Sequence, residues 1–289
     1  MAHPPGVEPV PPFAVQRARL EEVLDAVPPG GVGLLVAAAG WGKSLLIAQW
    51  LASNGSTDVT SISVAGRHND AMSFGADLLE AFGDLERPLD PNLREHLVSG
   101  SAGLGADFFD RLVSDLAAQP CQIVLVLDDL HQLTNEAILD DLGRFLQRLP
   151  PNVRVVAAMR WDVALSTRQL RMAGKLVEVR AAELAFTPEE ARRMVRSLSG
   201  HELDDRQVEL LVDRTEGWAA GLQLASISLR TADDRDDFPP RLRGERSARG
   251  RVPDRGGVVP TRRANAIVPP ADLGAAVADR RPVCCGHRS

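Results

Sequence analysis

Residues 36–46 read VAAAGWGKSLL, and this stretch constrains the fold more than any other. A short apolar run leads into Gly40-Trp41-Gly42-Lys43-Ser44, and KSLLIAQWLA (43–52) then has helical apolar spacing. A strand that passes through a glycine loop directly into a helix leaves the first N–H groups of the helix free and pointing at one spot. Such a spot binds phosphate. Ala37 stands where the pattern G-x-x-x-x-G-K-[ST] has its first glycine, and close backbone approach is expected of Gly40 and Gly42 instead. The loop residues Gly40, Trp41, Gly42, Lys43, Ser44 and Leu45 are expected to bind the nucleotide. Lys43 supplies a cation to the β- and γ-phosphates, and Ser44 supplies a hydroxyl to Mg²⁺. Lys43 is one of only two lysines, with Lys175, in a chain with many arginines, which strengthens the reading. The plain alternative is a glycine-rich turn with an exposed lysine.

The rest of the chain alternates between short apolar runs and amphipathic segments. Strands are expected over 31–38, 58–64, 122–130, 152–160 and 175–180, and helices over 13–27, 43–52, 70–84, 105–118 and 135–149. Alternation of this kind predicts an α/β fold: a parallel sheet of the P-loop NTPase type with helices on both faces. Beyond Arg180 only helical patterns follow, over 187–198, 204–215 and 217–230, the first opening on a Thr cap and a proline. The expected organisation is a disordered arm (1–12), a nucleotide-binding domain (13–183), an incomplete helical lid (184–238) and a disordered tail (239–289).

The run IVLVLDDL places Asp128 at the C-terminal end of a buried strand, where ligands sit in open α/β sheets. Asp128 is expected to hold Mg²⁺ together with Ser44, and Asp129 to polarise a hydrolytic water; a capping role for the two carboxylates is the alternative. An aspartate reaches one methylene less far than a glutamate, so slow hydrolysis is expected. Arg160, ending the next strand, is a candidate γ-phosphate sensor or a plain surface arginine. His131 and His201 read as structural or solvated, and Trp50, Trp161 and Trp218 as packing residues.

The formal net charge of −6 gives no general affinity for nucleic acid or membrane, and no apolar run is long enough to span a bilayer. Cys121, Cys284 and Cys285 form neither a metal spacing nor a disulfide framework. The expected location is the cytoplasm.

The segments VPPFAVQRARLEEVLDAV, AGWGKSLLIAQWLA, VLVLDDLHQL, VRVVAAMRWD, LAFTPEEARRMV and TEGWAAGLQLASISLR, in that order, resemble the ATPase module of the large LuxR-type bacterial regulators, within the STAND class of signal-transduction ATPases. The resemblance covers about residues 10–238. It implies ATP and Mg²⁺ as cofactors, a switch reset by slow ATP hydrolysis to ADP, and self-association of the ATP-bound form. It places Arg17 and Arg19 near the adenine. It supports the roles given to Asp128, Asp129 and Arg160. It also sets Gly217-Trp218 where many STAND proteins carry Gly-x-Pro. Nothing in the chain resembles the C-terminal helix-turn-helix of that family, so no DNA binding by this chain is expected. A conventional P-loop kinase or transferase, and a non-functional interaction fragment, are the alternatives. Residues 239–289 are rich in Arg, Pro and Gly and lack periodicity. They read as an out-of-frame translation, since a one-base shift permits stretches with helical apolar spacing; a basic disordered tail is the alternative.

Overall fold

A computed structural model of the 289-residue chain describes residues 9–53, 58–98 and 103–231. The readings for 1–8 and 239–289 lie outside the described residues. Five strands form one parallel sheet: β1 (Val32–Val36), β2 (Asp58–Ser63), β3 (Ile123–Asp128), β4 (Val153–Met159) and β5 (Leu176–Arg180), in the order β2-β3-β4-β1-β5. The three inner strands are apolar at nearly every position because both faces of the sheet are covered.

Alternation along each strand divides these side chains between two cores. Leu34, Leu125, Leu127 and Val155 pack with Phe74, Phe108 and Phe145. These aromatics come from α3 (Ala71–Ala81), α5 (Ala106–Ala117) and α6 (Glu136–Gln147), with α4 (Leu93–Val98) beside them. On the other face Leu35, Val124, Val126 and Val156 meet Leu20, Leu24 and Trp50, carried by α1 (Ala18–Asp25) and α2 (Lys43–Ser53).

After α7 (Arg168–Met172), β5 and the single-turn α8 (Ala181–Leu184), three helices gather around a third core: α9 (Pro188–Ser199), α10 (Asp205–Thr215) and α11 (Ala219–Thr231). Val15, from the lead-in before the sheet, belongs to this third core.

That contact explains the largest departure from the expected elements. The helix expected over 13–27 occupies only 18–25. Residues before it leave the helix so that Val15 can reach the third core, and the Val15 carbonyl accepts from Gln49 Nε2 at 3.0 Å. Strand β3 stops at Asp128, one residue before the second carboxylate, because Asp129 turns left-handed at φ 54°. Helix α11 starts at Ala219 rather than 217, since Glu216 and Gly217 are both left-handed (φ 52° and 67°) and separate it from α10. A Cβ on Gly217 would stand 2.8 Å from the Phe186 nitrogen, so only glycine fits this crossing. The short α4, α7 and α8 carry too few residues to show a period.

Candidate functional site

The sheet brings the tips of three neighbouring strands to one edge. β1 pairs with β4 through Val36 and Met159, and β4 with β3 through Ala157 and Leu127. The loop Ala37–Gly42, Arg160, and Asp128–Asp129 therefore leave the sheet side by side, with Arg160 on the strand between the other two. This is the C-terminal edge at which an open α/β sheet binds ligands.

Within the loop, Gly40 and Gly42 are left-handed (φ 78° and 77°), which turns the backbone inward. Among the described residues, the N–H groups of Gly40 to Leu45 donate no hydrogen bond to protein; Leu46 is the first to do so, to the Gly42 carbonyl at 2.9 Å. These are the unsatisfied donors of a helix start, lying where an anion gains most from them. Lys43 is buried and folds back, with Nζ at 2.7 Å from the Ala37 carbonyl and 3.0 Å from that of Ala38. Burial pushes its ammonium below the usual lysine range; Asp128 and Asp129 oppose that shift and Arg160 adds to it.

Ser44 Oγ donates to Asp128 Oδ2 at 2.7 Å, so hydroxyl and carboxylate are already adjacent. Two hard oxygen donors beside free N–H groups fit Mg²⁺ held together with phosphate oxygens and water. Asp128 Oδ1 also accepts from the Asp129 N–H at 2.8 Å, which ties the turn carrying the second carboxylate.

The helical region closes the other side of the loop. The Ala220 N–H donates to the Gly40 carbonyl at 3.0 Å, and Trp218 Nε1 to the Ala39 carbonyl at 3.1 Å. A Cβ on Gly40 would stand 2.9 Å from Trp218 Nε1 and 2.8 Å from the Ala220 Cβ. Trp218 thus rests on the phosphate loop. Trp161 is 58% exposed and meets His131 edge-on at 4.6 Å. Both pack against protein groups, as Trp50 does, but at partly exposed positions rather than within a core.

The two arginines of the lead-in part company. Arg17 is buried: Nη2 donates to the Leu184 carbonyl, Nε lies 3.8 Å from Glu190 and the guanidinium sits 4.4 Å from the centre of the Phe186 ring. Its Nη1 has no partner among the described residues and lies 3.7 Å from where a Cβ on Gly42 would stand. Burial lowers its pKa to about 10, against the attraction of Glu190. Arg19 instead directs its donors away from the loop, to Glu190 (2.9 and 3.0 Å) and to the carbonyls of Glu183 (2.7 Å) and Ala185 (2.6 Å). Of the pair placed near the adenine by resemblance, only Arg17 faces the phosphate loop.

Glu190 was not singled out in the sequence, yet it holds both arginines. Its carboxylate accepts the Thr187 N–H at 3.0 Å, and its own N–H donates to Thr187 Oγ1 at 3.2 Å, closing a capping box. The T-x-x-E spacing of TPEE was the available signal. Burial pushes its carboxyl up, but the hydrogen bonds from Arg19 and Thr187 and the charges of both arginines hold it below the usual glutamate range.

No protein-family model matches the chain. It is 30% identical over 216 residues to the HTH-type transcriptional regulator MalT of Cronobacter sakazakii, a match covering 75% of this chain and 24% of that protein. It is 28% identical over 223 residues to the serine/threonine-protein kinase PknK of Mycobacterium tuberculosis, covering 76% and 20%. The chain spans a quarter or less of the curated relatives it matches. Among solved structures it is similar to a signal transduction ATPase with numerous domains (STAND) with a tetratricopeptide repeat sensor from Pyrococcus horikoshii (TM-score 0.56, 16% identity, 79% of this chain and 31% of that one). It is also similar to a Walker-type ATPase of Pyrococcus abyssi (TM-score 0.50, 14% identity, 76% and 69%). The fold is that of the P-loop NTPases, and the sequence matches an ATPase module of MalT-like regulators.

Proposed function

We propose that this chain is a nucleotide switch: it binds ATP with Mg²⁺, hydrolyses it slowly, and passes its nucleotide state to the helical region. The observation that carries this reading is the double contact of Trp218 and Ala220 with the backbone of the phosphate loop. Any rearrangement of that loop around a phosphate is felt at the start of α11.

The N–H groups of Gly40, Trp41, Gly42, Lys43, Ser44 and Leu45 cradle the phosphates, and Lys43 exchanges its two carbonyl partners for phosphate oxygens. Ser44 and Asp128 hold Mg²⁺, which when bound neutralises charge on the β- and γ-phosphates. Asp129 orients and polarises a water, and Arg160, on the strand between, meets the γ-phosphate. Arg17 supplies its free Nη1 to the loop side, while Arg19 anchors the helical region through Glu190. The same reading divides the chain into a nucleotide-binding part, 13–183, and a helical part from 184 onward; Leu184 still packs in the sheet's core, and Phe186 joins the third one. Self-association of the ATP form, ADP as product and a cytoplasmic location belong to the same reading. None of the described helices is long and apolar enough to cross a membrane.

Titration with a fluorescent ATP analogue tests it. Mg²⁺-dependent binding by the wild type that Lys43→Ala loses supports the reading. Equal affinity of a folded Lys43→Ala chain overturns it.

A further inference from the structure

His131 sits in the short 3₁₀ turn Leu130–Gln132 that follows the second carboxylate. Its side chain is 1% exposed, and neither ring nitrogen has a hydrogen-bond partner among the described residues. A residue that only filled space here would be better without two polar atoms, because burying them unpaired costs their full hydration. The sequence reading of a structural or solvated histidine does not account for this. The ring is not solvated, and its nitrogens hold nothing together.

One polar group lies almost in range. Nδ1 is 3.6 Å from Asp129 Oδ1, and an approach of roughly half an ångström makes a normal hydrogen bond. The backbone on both sides is fixed. Asp129 N–H is tied to Asp128 Oδ1, and the N–H groups of Gln132 and Leu133 close the turn onto the carbonyls of Asp129 and Leu130. The movable part is the Asp129 side chain, which is 41% exposed. Trp161 meets the imidazole edge-on at 75° and fixes its plane. Burial holds the ring below the usual histidine range. The nearby Asp129 and Asp128 oppose that effect, while Arg160 and Lys43 reinforce it. A neutral imidazole has one N–H to give and one acceptor nitrogen.

We propose that His131 is a positioning residue for hydrolysis: with nucleotide bound, its Nδ1–H donates to the Asp129 carboxylate and holds it in the orientation that polarises the water. No bond to phosphate and no proton transfer by His131 is involved. The proposal rests on the ATPase reading above. It adds a residue that touches neither nucleotide nor water and acts through Asp129.

The test compares the full chain with His131→Phe and His131→Asn in three measurements: melting temperature, ATP affinity and single-turnover hydrolysis. Phenylalanine keeps the ring and its contact with Trp161 and removes both unpaired nitrogens. Asparagine is smaller but sets an amide nitrogen near the place of Nδ1. The expected result is that both bind ATP within about twofold of wild type, while His131→Phe hydrolyses about tenfold more slowly. His131→Asn should recover part of that rate. Stability should run the other way, with the Phe variant melting at or above wild type and the Asn variant below it. A purely structural histidine gives rates that follow melting temperature, and that outcome overturns the proposal. So does a wild-type rate in His131→Phe. If wild-type hydrolysis does not exceed that of Lys43→Ala, the ATPase reading itself falls and takes this proposal with it. If it does exceed it and His131→Phe matches wild type, only the positioning role falls.

Discussion

On the sheet side of the phosphate loop, Lys43, Ser44, Asp128 and Arg160 are placed by three adjacent strand ends whose register is fixed by backbone pairing. On the helical side, Arg17, Arg19 and Trp218 are placed by side chains that reach across more than 160 residues of sequence to find their partners. The sheet side needs no side-chain contact with the helical region to keep its geometry. The helical side is held by the charges of Arg17, Arg19 and Glu190, by Val15 packed in the third core, and by two contacts with loop carbonyls. A site built this way keeps its chemistry rigid and leaves its coupling adjustable.

The sharpest way to break that comparison is Lys43→Ala. It removes the one buried lysine or arginine of the sheet side among the described residues and should cost ATP binding about 100-fold or more. The sheet should stay folded, because its two cores lie on either side of the strands. Circular dichroism beside the nucleotide titration checks both halves. Loss of fold together with binding would mean that the loop and the cores are not independent.

Glu190→Ala attacks the helical side. It strands Arg17, which is 3% exposed, and should destabilise the chain by about 3 kcal/mol in urea unfolding. The native carboxyl lies below its unfolded value, so its contribution is complete above about pH 4.3 and is lost as pH falls through the lower folded value. Wild-type stability should drop with acid in that window, and Glu190→Gln should show a flatter curve. Parallel curves would remove Glu190 from its place as the electrostatic centre of this side.

Asp129→Asn should keep ATP affinity and slow hydrolysis by about tenfold to 100-fold. Asp128→Asn should instead weaken Mg²⁺-dependent binding. Hydrolysis at the parental rate in Asp129→Asn would reassign the water-polarising role. The smallest effect is expected for Trp218→Phe, which removes one neutral hydrogen bond to the Ala39 carbonyl and should cost about 1 kcal/mol. If the two sides are coupled, nucleotide exchange should also quicken; an unchanged exchange rate would confine Trp218 to packing.

The contrast between the two sides also marks what could be read from the sequence. Strand runs such as IVLVLD, the loop GWGKS and the capped start TPEE are local patterns, and each element stands within a few residues of its expected place. The loop, Ser44, Asp128, Asp129 and Arg160 converge because parallel strands deliver their C-terminal ends to one edge. The shortening of α1 was not legible, since its cause is Val15 packing with residues beyond Phe186. Nor was the junction of Arg17, Arg19 and Glu190, because no spacing rule links positions so far apart. His131 was visible only as a lone histidine. That it is buried and unpaired is a property of what surrounds it, and the ring of Trp161 comes from another strand end.

The junction of Arg19 with Glu190 has a consequence in time. Arg19 is made 171 residues before its partner. At about 5–20 residues per second, a ribosome takes roughly 10 to 35 seconds to cover that distance. All five strands are synthesised within the interval. Newly made chains therefore carry Arg17 and Arg19 without their counter-charge while the sheet is assembled, and gain it only when the capped start of α9 emerges. Docking of the helical region is a late event in the life of each molecule, set by the rate of translation.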